Sequence, residues 1–155
     1  MSFRITGLDP AVFRPLFGLS DATLRERGIV RVRADSSPGY PDRIEMRDAE
    51  PGETLLLVNH VHHDVHNPYR ASHAVYVREG ADTAYDALDE VPECLRRRLL
   101  SGRAFDAAGM MVDADVVEGR ALEGAIGKLF ADPAVETLHA HYAKRGCYAG
   151  RIVRG

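Results

Sequence analysis

Short stretches in which apolar and polar residues alternate dominate this chain. Phe3–Thr6, Ile29–Arg33, Arg43–Met46 and His73–Arg78 each predict a strand with one buried face. Leu55-Leu56-Leu57-Val58 is apolar without a break, which predicts a central strand covered on both faces. The segment His73–Arg78 is placed to return antiparallel beside it. Helical spacing is rarer. Asp9-Pro10 is a helix start, a capping side chain followed by proline at the first turn, and Phe13, Leu16 and Phe17 form its apolar side. Pro15 keeps that helix short. Ser20 caps a second helix running to Arg27, and Gly28 suits its left-handed stop. Pro92 opens a short helix holding Leu95 and Leu99. Arg120 to Ala131 carries Leu122, Ile126, Leu129 and Phe130 on one stripe, ended by Asp132-Pro133. The pattern predicts an α+β fold over residues 1–155 as a single domain. A mostly antiparallel sheet carries the two short N-terminal helices and the longer Arg120–Ala131 helix on one face. Pro38–Pro41 and Glu50–Glu53 are turns, and Ala81–Glu90 is polar connection.

Two late hairpins can be given a register. Asp106-Ala107-Ala108-Gly109 suits a type I turn with a glycine bulge, which pairs Asp106 with Met110 and sets Arg103 opposite Asp113. Ala143-Lys144-Arg145-Gly146 repeats that logic. A three-residue loop there pairs Ala143 with Cys147 and His141 with Ala149. Leu138, Ala140, Tyr142, Tyr148 and Ile152 then share one face, and His139, His141, Cys147 and Arg151 the other.

The candidate chemistry lies directly after the central strand. Five of the seven histidines fall between His60 and His73. Imidazole is the commonest metal ligand and titrates near neutral pH. His60 and His62 share a strand face, as do His139 and His141, so two neighbouring strands offer His60, His62, His139 and His141 to one Zn²⁺ or Fe²⁺. The run His60-Val61-His62-His63-Asp64-Val65-His66 is close to the His-x-His-x-Asp-His motif of metallo-β-lactamase-like hydrolases, but Val65 delays the last histidine by one residue. The competing reading makes His62, His63 and His66 solvated loop residues. Tyr69, Arg70, Ser72 and His73, with Arg151, form a candidate anion site, and Arg70 is expected to point inward beside His73. Cys147 beside His141 is a candidate activated nucleophile, against the commoner inert cysteine.

Composition narrows the partners. The chain has 155 residues, 45% of them hydrophobic, and a formal net charge of −3. That is enough for a real core and offers no basic field for a phosphate backbone, which argues against nucleic acid. No apolar run approaches a membrane span, and the N-terminus lacks a signal-peptide core. Two isolated cysteines fit a reducing, cytoplasmic setting.

Pro38-Gly39-Tyr40-Pro41, the run from Pro51 to Asn59, Pro68–His73, Phe105–Asp115 and Gly146-Cys147-Tyr148-Ala149 together resemble a bacterial family known only as a domain of unknown function, DUF1203. The resemblance extends over the whole length and implies no activity, so no catalytic role is carried over from it. The leading expectation is a protein that binds or processes a small anionic molecule in a histidine-lined pocket. A mononuclear metal hydrolase is its narrower form. The other class is a non-enzymatic interaction domain, whose surface meets a protein partner or a second copy in a homo-oligomer. A concave site with converging donors favours the first, and a flat apolar patch the second.

Overall fold

The computed structural model describes Met1–Gly155 as nine strands and four α-helices. Two antiparallel sheets divide the strands. The larger orders them β5 (Asp86–Leu88), β1 (Phe3–Thr6), β9 (Tyr148–Arg154), β8 (Thr137–Tyr142), β6 (Leu99–Phe105) and β7 (Met111–Glu118). The smaller is β2 (Val30–Arg33), β3 (Thr54–His63) and β4 (Ala71–Arg78). The architecture is α+β, as expected, but the helices do not share one face. Helix α4 (Leu122–Leu129) buries Leu122, Ile126 and Leu129 in the large-sheet core with Ile5, Leu100, Leu138 and Ile152. The N-terminal helices α1 (Pro10–Phe13) and α2 (Asp21–Glu26) place Phe13 and Leu24 in a second core with Leu56, Val58, Val75, Val77 and Tyr148. Each fully buried Leu or Ile contributes about 1.5–3 kcal/mol, so both cores are substantial. Helix α3 is Glu93–Arg96, and Leu99 belongs to β6 rather than to that helix. No helix is long and apolar enough to cross a membrane.

Four local expectations are corrected. Arg43–Glu45 is a turn, and Met46 follows it outside any strand. The buried Asp42 carboxylate accepts from Ile44 N (3.1 Å), Glu45 N (2.7 Å) and Arg78 N (2.8 Å), and such side-chain acceptors compete with a strand ladder. Residues 81–90 contain β5, which pairs with β1. The Asp106–Gly109 turn forms as predicted, with Gly109 at φ +77° and Asp106 N donating to Met110 O. A bulge beyond it sets Arg103 opposite Ala114, not Asp113.

The last hairpin also differs. Tyr142 N donates to Cys147 O and Gly146 N to Tyr142 O, so the loop has four residues. A bulge at Ala149 then restores the expected pairing of Ala140 with Gly150, His139 with Arg151 and Leu138 with Ile152. Near the turn, Tyr148 rather than Ala149 faces His141. The prediction assumed one apolar face. Both faces of this hairpin are covered, so polarity did not define the register there.

A candidate three-histidine centre between the sheets

The site forms where the end of β3 meets the inner face of the large sheet. Leu56 and Val58 point into the second core, and strand alternation carries His60 and His62 onto the same face. His60 stops early, packed on Phe13 with ring centroids 5.7 Å apart. The β3–β4 register then shifts between Val61 and His63, a bulge that leaves His62 unpaired. Bulges re-aim side chains, and here consecutive residues His62 and His63 both reach the large sheet. From that sheet, Leu138, Ala140 and Tyr142 enter the large core, so alternation turns His139 and His141 toward His62.

A ring nitrogen from each of His62, His139 and His141 lies within 4.8 Å of the other two. His139 is 4% exposed and His141 0%. Three buried side-chain polar atoms in the whole chain lack a hydrogen-bond partner: His62 Nδ1, His139 Nδ1 and His141 Nε2. Native proteins pair nearly all such atoms, since an orphan costs about 1–3 kcal/mol. Their convergence on one spot therefore demands an explanation.

The neighbours orient the rings. His141 Nδ1 lies 3.0 Å from Gly146 O; a carbonyl only accepts, so Nδ1 carries the proton and Nε2 presents a lone pair. His62 Nε2 lies 2.7 Å from His73 Nδ1, within hydrogen-bond distance, with the two ring planes 12° apart. When His62 is the donor, its Nδ1 is likewise bare. Tyr148 lies alongside His62 with centroids 4.8 Å apart, and burial raises its phenol pKa. Burial, reinforced by neighbouring cationic groups and by the other imidazoles, lowers the pKa of His62 to about 4 and those of His139 and His141 to about 3. His60 and His73 are lowered too, by burial first. The cluster is thus neutral at physiological pH, the state in which imidazole binds metals. No carboxylate belongs to it.

A cleft of about 300 Å³ opens beside the triad. His62, His139, Phe105, Thr137, Asp106 and Arg151 contribute to its wall. His63 also lines it, with Nε2 donating to Gly109 O at 2.8 Å. Its burial could not be read from the sequence, because it depends on the bulge.

Other predicted residues lie elsewhere. Cys147 packs toward the large-sheet core, and its Sγ accepts from Arg43 Nη2 at 3.1 Å. It stands opposite Tyr142 and not among the histidines, so the expected thiol–imidazole pair with His141 does not form. Arg70 does not point inward: its side chain is 54% exposed and pairs with Asp64 at 3.4 Å. Solvation there costs less than burying a guanidinium without a built acceptor. Tyr69 and His66 are exposed as well. His73 and Arg151 are the two members of the proposed anion set that stay beside the triad.

No curated protein and no solved structure matches the chain. The family model described as a protein of unknown function (DUF1203) matches residues 39–154, a span that includes every histidine of the triad. With three quarters of its length matched, the chain belongs to the DUF1203 family.

Proposed function

We propose that this protein holds one divalent transition metal through His62, His139 and His141 and uses it to bind and process a small molecule in the adjoining cleft. The observation that carries this reading is the convergence of the chain's three unpartnered buried polar atoms. Three neutral imidazoles suit Zn²⁺ or Fe²⁺ and leave coordination positions open, the arrangement of catalytic rather than structural sites. Ligand nitrogens around tetrahedral zinc stand about 3.4 Å apart, so binding draws the rings inward from their present spacing. The held second nitrogens of His62 and His141 are what metal-ligating histidines require to keep one tautomer. A bound ion would supply Lewis acidity and an activated water. The protein would supply orientation through His73 and Gly146 O, and a walled cleft for the reacting molecule.

The test is metal content and its consequences. Protein expressed without a histidine tag should carry about one metal per chain by elemental analysis. After stripping with a chelator, Zn²⁺ at ~100 times its Kd should add about 2.7 kcal/mol of stability. His141→Ala should remove both effects. Metal-free protein whose melting is indifferent to Zn²⁺, Fe²⁺ and Co²⁺ would overturn the reading.

A further inference from the structure

We propose that the molecule taken at the metal centre is a small oxyanion, a carboxylate or phosphate, held by Arg103 and Arg151. This inference rests on the three-histidine reading and deepens it. The β6–β8 register sets Arg103 opposite His139, and the β8–β9 register sets Arg151 opposite the same residue. Directly opposed residues share a sheet face, with neighbouring strands about 4.8 Å apart. His139 therefore sits between two guanidinium-bearing positions on the face that meets β3. Neither arginine is in an ion pair, a state shared with Arg43 and several surface arginines; what singles these two out is their place on either side of His139. Arg103 has only a long contact to Ser101 Oγ at 3.5 Å. The bulge that moved it away from Asp113 is what leaves it without a partner.

The local charge favours the same guest. Neutral ligands would leave a divalent ion's full charge in place; Arg151 lines the cleft, and Arg103 stands on the other side of His139 in the sheet register. Asp106 is the acid on the cleft wall, and its Oδ1 already accepts from Ala108 N and Met110 N at 2.9 Å each. A site with this excess of positive charge in a half-buried setting attracts an anion. Guanidinium forks match the planar oxygens of carboxylate and the faces of phosphate, and the Thr137 hydroxyl on the same wall adds a donor. The cleft volume, at the small end for ligand sites, suits a guest of about ten heavy atoms or the anionic end of a larger one.

Co²⁺-loaded protein tests this, because its visible absorption reports ligands entering the metal's open positions. Acetate and phosphate would be titrated separately, with acetamide as a neutral control of acetate's shape. Saturable spectral change with one or both anions, and none with acetamide, is the expected result; the responding arm identifies the oxyanion. Arg151→Gln, an exposed position that puts folding at little risk, should weaken the response at least 10-fold while leaving Co²⁺ affinity unchanged. Arg103→Gln should do the same, and the double variant should lose the response. Failure to take up Co²⁺ would overturn the metal reading and this inference with it. Normal uptake with no anion response, or a response that survives the double variant, would overturn this inference alone.

Discussion

Two buried polar regions lie side by side in this protein and are built on opposite terms. In the loop Pro41–Asp48, every buried group is answered. Asp42, 1% exposed, takes three backbone donors; Arg43, 2% exposed, donates to Tyr148 O, Pro41 O and Cys147 Sγ; Asp48 is clasped by Arg97 and Arg98. In the histidine cluster, three ring nitrogens go unanswered. The regions even share a residue, since Tyr148 gives its carbonyl to Arg43 and its ring to His62. Burial and polarity alone therefore do not separate a structural network from a binding site. Completeness does. A closed network has nothing left to bind with, whereas an open one spends stability to keep lone pairs available.

The sharpest way to break this contrast is to empty one group from each region. Asp42→Ala strands the N–H groups of Ile44, Glu45 and Arg78 and should cost about 3–5 kcal/mol in chemical denaturation, at the upper end for a single substitution. His139→Leu removes an orphan and substitutes a similar volume of apolar surface. It should leave the metal-free protein within about 1.5 kcal/mol of the parent while abolishing metal binding. Equal losses from the two substitutions would show the histidines to be as structural as Asp42.

Acid should separate the regions next. Each buried imidazole has a folded-state pKa well below the unfolded value of about 6.5. Between those values the unfolded chain binds more protons, so stability rises with pH and is lost on acidification. For metal-free protein, His139 and His141 should each remove about 2–3 kcal/mol by about pH 4.5, starting near pH 6.5. Because His62, lowered to about 4, contributes over the same range, His139→Leu should flatten the total slope by about a third. A metal-free protein whose denaturation midpoint is constant from pH 7 to about pH 5 would contradict the neutral, buried state of the rings.

The parts of this arrangement visible in the sequence are those governed by alternation within one strand. Leu56, Val58, His60 and His62 share a face as the period of two requires, and so do His139 and His141. What the sequence hides is set by contacts between strands. The bulge after Val61 aims His63 inward, the bulge at Ala149 exchanges Cys147 for Tyr148 beside His141, and the bulge near Phe105 frees Arg103. Each shifts register by one residue, which moves side chains to the other face without altering the local pattern. The division into two sheets is hidden for the same reason, because β1, β5 and β9 pair across the length of the chain. Asp42 falls between the Pro38–Pro41 turn and the Arg43–Met46 run with no pattern to mark it, and only the distant Arg78 N–H completes its role.

The smallest expected effect comes from the loop between β3 and β4, where the two kinds of polar contact meet at the surface. Arg70 and Asp64 form an exposed pair of the kind that contributes between nothing and about 1 kcal/mol. Asn67 does more. Its Oδ1 accepts from Tyr69 N at 2.8 Å, and its Nδ2 donates to Ala108 O at 3.0 Å, tying the loop to the turn that walls the cleft. Arg70→Ala should therefore change stability by less than about 0.5 kcal/mol and leave metal and oxyanion binding at parental values. Asn67→Ala should loosen the wall and weaken oxyanion binding by a few fold, read on the same Co²⁺ titration, with metal affinity intact. If Arg70→Ala instead weakened the anion as strongly as Arg151→Gln, the loop would have to fold over the cleft when it is filled. The anion site would then belong to β3–β4 as well as to β9, and the open region would be larger than the three histidines that mark it.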